Sequence, residues 1–336
     1  MVYSFQLWKH PNIHYREVLI RLSRLELFCM LRRLGVDSEI TTDSIGSSVF
    51  LTVAGRELSP RELSYLAGHS SVTMISERVH DLFKPMPVQA DDAFPEDLPE
   101  ILKYKGKTNP SFTRMMLNTG LALTSFTPQP EPPLVLDPLC GRGTTLFCAL
   151  CAGAEAIGID ADRRDLKEAS DYFSRYLKNA GIKHTLRSFS TTVRGTGIPG
   201  KSFSFAADRE AWKQGKTVSL TLHNADTSLS EFLLRKKPAH LLVTDLPYGV
   251  QHAPQHGAVP ESFPAFLSRV LPAWKRALYP GAVLAVSFNT LTLKAEALRK
   301  SLSDAGFLIC DDPLFSGLSH AVEQAVVRDL VFAKVR

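Results

Sequence analysis

Short apolar segments alternate with helical stretches through the second part of this 336-residue chain. The segments that predict strands are 134–137, 155–159, 217–222, 239–244, 281–288, 306–311 and 325–334. Because alternating strands and helices build parallel sheets that helices cover on both faces, we predict an α/β fold with a seven-stranded, largely parallel sheet. The last two segments have no helix between them, so we expect them to pair antiparallel at one end of the sheet.

The first ninety or so residues predict a smaller α/β unit. Apolar residues recur at helical spacing between Tyr15 and Leu34, and they alternate with polar residues from Val49 to Val53 as in a strand. A capping serine, a proline and an acid in Ser59–Glu62 predict the start of a short helix. A linker rich in proline and acids follows. We therefore expect an N-terminal α/β domain at 1–95, hypothetically RNA-binding, and a second domain at 96–336.

The bulk composition permits a polyanionic partner, since the net charge is +5 and the pI is about 8.9. Charge alone, however, indicates only non-specific binding. No apolar run approaches the roughly 18 residues of a membrane helix, and the N-terminus lacks the features of a signal peptide, so we expect a cytosolic protein without a membrane partner.

Cys148 and Cys151 form a C-x-x-C, but no second ligand pair is evident, so we predict a buried helix rather than a metal site.

A glycine-bearing turn follows the first strand of the alternating region, in Asp137-Pro-Leu-Cys-Gly-Arg-Gly-Thr144. Gly141 and Gly143 remove side chains where a ligand approaches a strand-to-helix turn. The third glycine of a dinucleotide fingerprint is replaced by Leu146, and Asp137 would repel a pyrophosphate. The same carboxylate would attract the ammonium group of a methionine moiety. The turn therefore indicates a cationic cofactor, S-adenosylmethionine.

Two further acids follow later strands. Asp160 lies about 20 residues beyond the turn, where a carboxylate is suited to accept both hydroxyls of a ribose. Asp162 is better placed to cap the next helix. Asp226 has two open interpretations: it accepts a hydrogen bond from the adenine amino group, or it caps the helix that follows.

A second turn, Thr244-Asp-Leu-Pro-Tyr-Gly249, ends the fourth strand. Asp245 and a neighbouring backbone carbonyl would accept both N–H bonds of an exocyclic amine and aim its lone pair at a methyl donor. Pro247 would fix the backbone, and Tyr248 would stack on an extruded base. An ordinary strand-end turn is the alternative. Both turns lie at the carboxyl edge of an open sheet, where ligands bind, and this position favours the functional interpretation.

On these motifs the chain resembles the class I S-adenosylmethionine-dependent methyltransferases, and more narrowly the RNA guanine-N2 methyltransferases often found with THUMP RNA-binding domains. The resemblance covers about residues 100–336, and its matching segments are 104–110, 137–144, 158–160, 224–226 and 244–249, together with the helix that contains Phe112 and Thr113. Leu246 stands where the family has a proline, and the N-terminal unit is shorter than a full THUMP domain.

The resemblance implies a Rossmann-like class I methyltransferase fold and a tRNA or rRNA substrate, and it leaves the oligomeric state open. It implies that S-adenosylmethionine is held by Thr108, Phe112, Thr113, Asp137, Cys140, Gly141, Gly143, Thr144, Asp160 and Asp226. It assigns the methyl acceptor's site to Asp245, Pro247 and Tyr248. Adenine-N6 methylation of DNA or RNA, methylation of a protein glutamine amide, and a non-catalytic RNA-binding role are the alternatives.

The segment from Lys183 to Lys216 does not follow the strand and helix alternation. It is rich in serine and glycine, and its basic residues outnumber its acids. It is either a solvated insertion or a flap that contacts substrate phosphates through Lys and Arg.

Overall fold

The computed structural model describes residues 1–10, 13–80, 82–95, 97–104, 107–126, 131–206, 209–247, 255–256, 259–323 and 326–336. The described α-helices are α1 Ile13–Arg33, α2 Pro60–Ala67, α3 Leu98–Ile101, α4 Pro110–Leu123, α5 Thr144–Cys151, α6 Arg163–Asn179, α7 Arg209–Lys213, α8 Ser230–Leu233, α9 Phe263–Arg276 and α10 Ala295–Asp304. Short 3-10 turns lie at Thr227–Leu229 and Pro313–Phe315.

The described strands form two large sheets and one two-stranded ribbon. The strands are β1 Val2–Leu7, β2 Ile40–Ile45, β3 Ser48–Ala54, β4 Val72–Val79, β5 Leu82–Pro85, β6 Leu134–Asp137, β7 Glu155–Asp160, β8 His184–Val193, β9 Thr196–Phe205, β10 Val218–Asn224, β11 Ala239–Asp245, β12 Gln255–His256, β13 Val259–Pro260, β14 Leu278–Asn289, β15 Phe307–Ile309, β16 His320–Glu323 and β17 Val326–Val335.

The N-terminal unit is an antiparallel sheet in the order β2-β3-β1-β4-β5, with α1 and α2 packed against it. The capping box predicted at Ser59 and Glu62 is confirmed: each side chain bonds the other residue's backbone N–H at the start of α2. The predicted helix and the strand around Val49–Val53 are present as α1 and β3. Strands β1, β2 and β5 were not predicted from the sequence.

The second sheet contains the seven predicted strands in the order β10-β7-β6-β11-β14-β17-β15. Numbered along the chain from β6, this order is 3-2-1-4-5-7-6. Neighbours from β10 to β14 pair parallel, whereas β17 pairs antiparallel with both β14 and β15. The chain therefore has the Rossmann-like class I methyltransferase fold, as predicted.

The prediction of seven strands was incomplete, because the described residues of the second sheet form ten strands. Most of the segment from Lys183 to Lys216 has regular structure: β8 and β9, ten residues each, form an antiparallel hairpin with many exposed positions that pairs with β10 and extends the sheet. Arg194 and Gly195 turn the hairpin with φ of 50° and 81°, as a two-residue loop requires. The third additional strand, β16, pairs antiparallel with β17. Whether the hairpin contacts phosphates stays a prediction.

Helix α1 contributes to two hydrophobic cores. Val18, Leu22 and Leu25 pack with the core of the large sheet, whereas Leu27 and Met30 pack with the N-terminal sheet. Along its length α1 also packs against α4, which lies on β11 and β14. The division of the chain at residue 95 stays a prediction.

The C-x-x-C motif lies on the buried helix that the sequence predicts. Cys148 and Cys151 are buried in α5, and their sulfurs bond the backbone carbonyls of Pro110 and Pro95. Among the described residues, no group of three or more His, Cys, Asp or Glu side chains is arranged to hold a metal ion. No described helix has both the length and the apolar character needed to cross a membrane.

Gly158 in the middle of β7 is fixed by close packing. A Cβ there would lie 2.5 Å from Cδ1 of Leu146 and 2.7 Å from Sγ of Cys140, both buried. We expect Gly158→Ala to lower the free energy of unfolding by about 1–3 kcal/mol, because these neighbours must shift within a packed core. Urea unfolding followed by circular dichroism measures this loss.

Gly55→Ala is the matched control. Its added Cβ would meet Ser38 and Val36 at 3.5 Å, an ordinary contact. We expect a change within about 0.5 kcal/mol for this variant. Equal losses in the two variants would show that close packing at Gly158 is not the cause.

Candidate functional site

The candidate site lies at the carboxyl edge of the large sheet, where parallel strands end together. Asp137 ends β6, Asp160 ends β7 and Asp245 ends β11. In this class of sheet, ligands bind at the carboxyl edge near the point where the strand order reverses. Here β6 is that point, because β7 and β11 flank it on either side. The fold therefore brings the three acids, predicted from three separate segments of the sequence, to one edge.

The glycine turn after β6 has the backbone conformation that the sequence predicts. Gly141 has φ of 48° and Gly143 has φ of 89°, values that residues other than glycine rarely adopt. The N–H of Gly141 donates to Oδ2 of Asp160 at 2.7 Å, and the N–H of Gly143 donates to the carbonyl of Cys140 at 2.8 Å. Thr144 then begins α5, and its hydroxyl bonds that of Tyr104 at 2.8 Å.

Asp137 is 3% exposed at the base of this turn. Its Oδ1 accepts a hydrogen bond from the N–H of Leu139 at 3.1 Å. Burial raises the pKa of Asp137 from 3.8 to about 7, while the bonds from Leu139 and the Thr145 hydroxyl oppose the rise and the nearby Asp160 adds to it. A cation bound beside this carboxylate would relieve the cost of its buried charge.

Asp160 holds the turn in place with both carboxylate oxygens. Oδ2 accepts from the N–H of Gly141 at 2.7 Å, and Oδ1 accepts from the N–H of Asp162 at 2.8 Å. Burial raises the pKa of Asp160, although these two backbone bonds oppose the rise. Asp162 caps α6 through the N–H groups of Arg164 and Asp165, as predicted. The role of Asp160 in ribose binding stays a prediction.

Asp226 caps the 3-10 turn that follows β10. Its Oδ1 accepts from the N–H of Ser228 at 2.9 Å and from Nη1 of Arg269 at 2.8 Å. Burial alone would raise the pKa of Asp226, but the bonds from Ser228 and the ion pair with Arg269 lower it. The capping interpretation is confirmed, and contact with an adenine amino group stays a prediction.

Three residues assigned to the cofactor by resemblance have buried side chains. Cys140 packs under the turn against Gly158. Phe112 and Thr113 lie in the first turn of α4, where Thr113 donates to the carbonyl of Asn109 at 3.2 Å. Their cofactor contacts stay predictions.

Asp245 is surrounded by donors from three other parts of the chain. Thr108 donates to Oδ2 and Ser287 donates to Oδ1, each at 2.7 Å. Nη2 of Arg328 lies 3.6 Å from Oδ2. The Asp245 side chain is 22% exposed, so it is neither fully buried nor freely solvated. Thr108, assigned to the cofactor by resemblance, contacts the acceptor acid directly.

The backbone after Asp245 explains why leucine occupies position 246. The N–H of Leu246 donates to the carbonyl of Ser287 at 2.8 Å, and its side chain is 1% exposed. A proline has no N–H and would lose this bond. Pro247 follows half-buried. Tyr248 lies outside the described residues, so its stacking role stays a prediction.

Ser287 and Arg328 were missed from the sequence, although each left a signal. Ser287 and Asn289 are polar residues at the end of an apolar strand next to the one that carries Asp245. Arg328 interrupts the apolar run of β17. Because β17 is antiparallel, its first residues lie at the carboxyl edge of the parallel strands, and this register is not visible in the sequence alone.

Comparison with known proteins gives distant structural similarities only. No protein-family model and no curated protein sequence matches the chain. The structure is similar to that of TrmN from Thermus thermophilus, with 16% identity, a TM-score of 0.42 and coverage of 98% of this chain and 70% of that one. It is also similar to that of a SAM-dependent methyltransferase from Agrobacterium tumefaciens, with 12% identity, a TM-score of 0.40 and coverage of 78% of this chain and 70% of that one.

An rRNA methylase from Streptococcus thermophilus is similar at 13% identity and a TM-score of 0.34, over 70% of this chain and 99% of that one. The strand order of this chain, rather than these similarities, establishes its fold.

The buried Asp137 makes stability depend on pH. Its pKa is higher in the folded protein than in the unfolded chain, so its contribution is most favourable below about pH 4 and is lost as the pH rises through about 7. Asp137→Asn removes this dependence. We expect the unfolding free energy of the variant minus that of the wild type to increase by up to about 4 kcal/mol between pH 4 and pH 8. Urea unfolding across that range measures the difference.

Asp162→Asn is the control, because asparagine caps a helix about as well as aspartate and Asp162 is exposed. We expect its stability relative to the wild type to change little with pH. A constant difference between Asp137→Asn and the wild type from pH 4 to pH 8 would contradict the uncompensated burial of Asp137.

Proposed function

We propose that this protein transfers a methyl group from S-adenosylmethionine to the exocyclic N2 of a guanosine in RNA, with tRNA or rRNA as the substrate. The observation that carries the proposal is the placement of Asp245, with its hydroxyl donors, at the same sheet edge as the glycine turn and its two acids. One half of this edge suits a cationic cofactor, and the other suits an amine.

The residues present fit S-adenosylmethionine. Asp137 is a buried carboxylate whose pKa is raised because its negative charge is poorly compensated in the folded protein. The ammonium group of the cofactor would compensate that charge. Asp160 is oriented by two backbone N–H bonds, and a carboxylate has acceptor positions beyond these two for ribose hydroxyls. Gly141 and Gly143 leave space for a ligand above the turn. When bound, the cofactor supplies an electrophilic methyl group on a sulfonium.

Asp245 would act on the substrate amine. The lone pair of an exocyclic amine is delocalised into the base and is a poor nucleophile. Asp245 and the carbonyl of Leu246 or Pro247 would accept its N–H bonds, orient the nitrogen and stabilise the positive charge that develops on it. Thr108 and Ser287 fix the carboxylate for this task from two sides. The proton released from nitrogen then passes to Asp245 or to solvent.

Guanine suits an acidic acceptor better than adenine does. Guanine carries two donors side by side, the N1–H and the N2 amino group, and a carboxylate accepts from both. Adenine presents an unprotonated N1 beside its amino group, so a carboxylate there would face a second acceptor. The proposal therefore takes guanosine as the substrate base. The net charge of +5 suits an RNA partner.

Asp137→Asn separates cofactor binding from stability. Asparagine keeps an acceptor for the N–H of Leu139 but carries no charge, so we expect the affinity for S-adenosylmethionine to fall at least about tenfold. The same variant is expected to be the more stable protein at pH 8. Isothermal titration calorimetry with S-adenosylmethionine measures the affinity. Unchanged affinity would exclude Asp137 as the partner of the cofactor's ammonium.

Asp245→Ala tests the acceptor site. We expect methyl transfer to RNA lacking the modification to fall by about 10²–10³-fold, with cofactor affinity unchanged within about twofold, because Asp245 acts on the substrate amine. Labelled cofactor and nucleoside analysis of the digested RNA measure both the rate and the product. Asp171→Ala on the exposed face of α6 is the control. Full activity in Asp245→Ala, or methyladenosine as the product, would refute the proposal.

A further inference from the structure

Arg328 places a buried positive charge beside the acceptor carboxylate. The residue is 5% exposed, and its Nη2 lies 3.6 Å from Oδ2 of Asp245. Its guanidinium carbon lies 4.6 Å from the centre of the Phe112 ring. In the β14–β17 pairing it is opposite Asn289, two residues beyond Ser287, which bonds Asp245. The strand and the ring together fix where this charge lies.

The separation is too long for a direct hydrogen bond between this nitrogen and Oδ2. Carboxylate and guanidinium form an ion pair side by side at one sheet edge, as an acceptor followed by a donor. This order of groups complements a ligand that carries donors next to an acceptor.

Guanine has that order along one edge. Its N2 amino group and N1–H are donors, and its O6 carbonyl, the next group along, is an acceptor. Arginine is the commonest side chain that reads the O6 of guanine in nucleic-acid complexes. Adenine has an amino group in the position of O6, which a guanidinium cannot bond. A carboxylate followed by a guanidinium thus complements guanine and not adenine.

We propose that Arg328 is the specificity-determining residue of the acceptor site and that it donates to the O6 carbonyl of the target guanine while Asp245 accepts from N1–H and N2. This inference rests on the proposed function and adds the recognition of the base to it. The guanidinium carbon lies over the Phe112 ring, and a guanidinium offers a planar set of donors that a lysine ammonium does not.

The competing explanation is an ion pair that only ties β17 to β11. Both explanations predict that removing Arg328 destabilises the protein, since one partner of a buried pair is lost. They differ in substrate discrimination. A structural ion pair has no effect on how the enzyme distinguishes two RNAs that differ in a single atom of the base.

The test compares RNA transcripts made with guanosine and with 6-thioguanosine, whose sulfur at position 6 is a much weaker acceptor while N1–H and N2 are retained. We expect the wild type to prefer guanosine transcripts at least about tenfold in kcat/KM. In Arg328→Met this ratio should fall to about one. Arg328→Lys should restore part of the preference, because lysine keeps the charge and loses the planar fork. Each ratio is measured on one enzyme preparation, so a partly unfolded fraction cancels.

Arg114→Met is the matched control, since Arg114 forms an ion pair with Asp92 at 2.6 Å from the same helix that carries Phe112. We expect lower stability and the wild-type ratio. If N2-methylguanosine forms and Arg328→Met keeps the wild-type ratio, the role of Arg328 in specificity is wrong and the proposed function stands. If the wild type forms no N2-methylguanosine, the proposed function is wrong and the inference falls with it.

Discussion

Parallel pairing of β7, β6, β11 and β14 is the constraint on which the site depends, because it collects acids at one edge. Asp137 is opposite Gly158 and Asp245 is opposite Ser287 in this register. Carboxylates this close together are stabilised by hydrogen-bond donors and cations. Backbone N–H groups donate to Asp160, while hydroxyl groups donate to Asp245 and Arg328 forms an ion pair with it. Burial of Asp137 outweighs its bonds from the backbone of Leu139 and from the hydroxyls of Thr145 and Thr244, and its pKa rises to about 7. The edge is therefore most deficient in positive charge where the cofactor's ammonium is proposed to bind.

The N-terminal unit reaches this edge through helix α4. Glu26 of α1 is fully buried and accepts from the N–H of Ser70 at 2.8 Å and from Nδ2 of Asn118 at 2.7 Å. Asn118 lies on α4, and Thr108 and Phe112 lie just before and within the first turn of that helix. This buried network fixes the position of α1 relative to α4, since any shift that breaks these bonds would leave the buried Glu26 without them. The first ninety residues thus help to position two groups at the acceptor site.

Local signals in the sequence predicted most of the fold and half of the site. Strand periodicity located seven strands, and the glycines of the first turn predicted its positive φ angles because only glycine tolerates them there. The hairpin of β8 and β9 was missed because its exposed strands carry serine, threonine and glycine on both faces, without the alternation that marks a half-buried strand. Arg328 was missed because its position depends on the register of β17, a long-range pairing.

Leu246 shows how the local and the long-range signals combine. By comparison with the resembling family, leucine in place of proline suggests a looser acceptor turn. In the structure, the N–H that proline lacks bonds the carbonyl of Ser287, and the hydroxyl of the same serine bonds Asp245. One residue of β14 therefore holds both the backbone and the carboxylate of the acceptor turn. Proline at position 246 would restrict the backbone through its ring, whereas leucine lets a hydrogen bond between neighbouring strands hold the residue that follows Asp245.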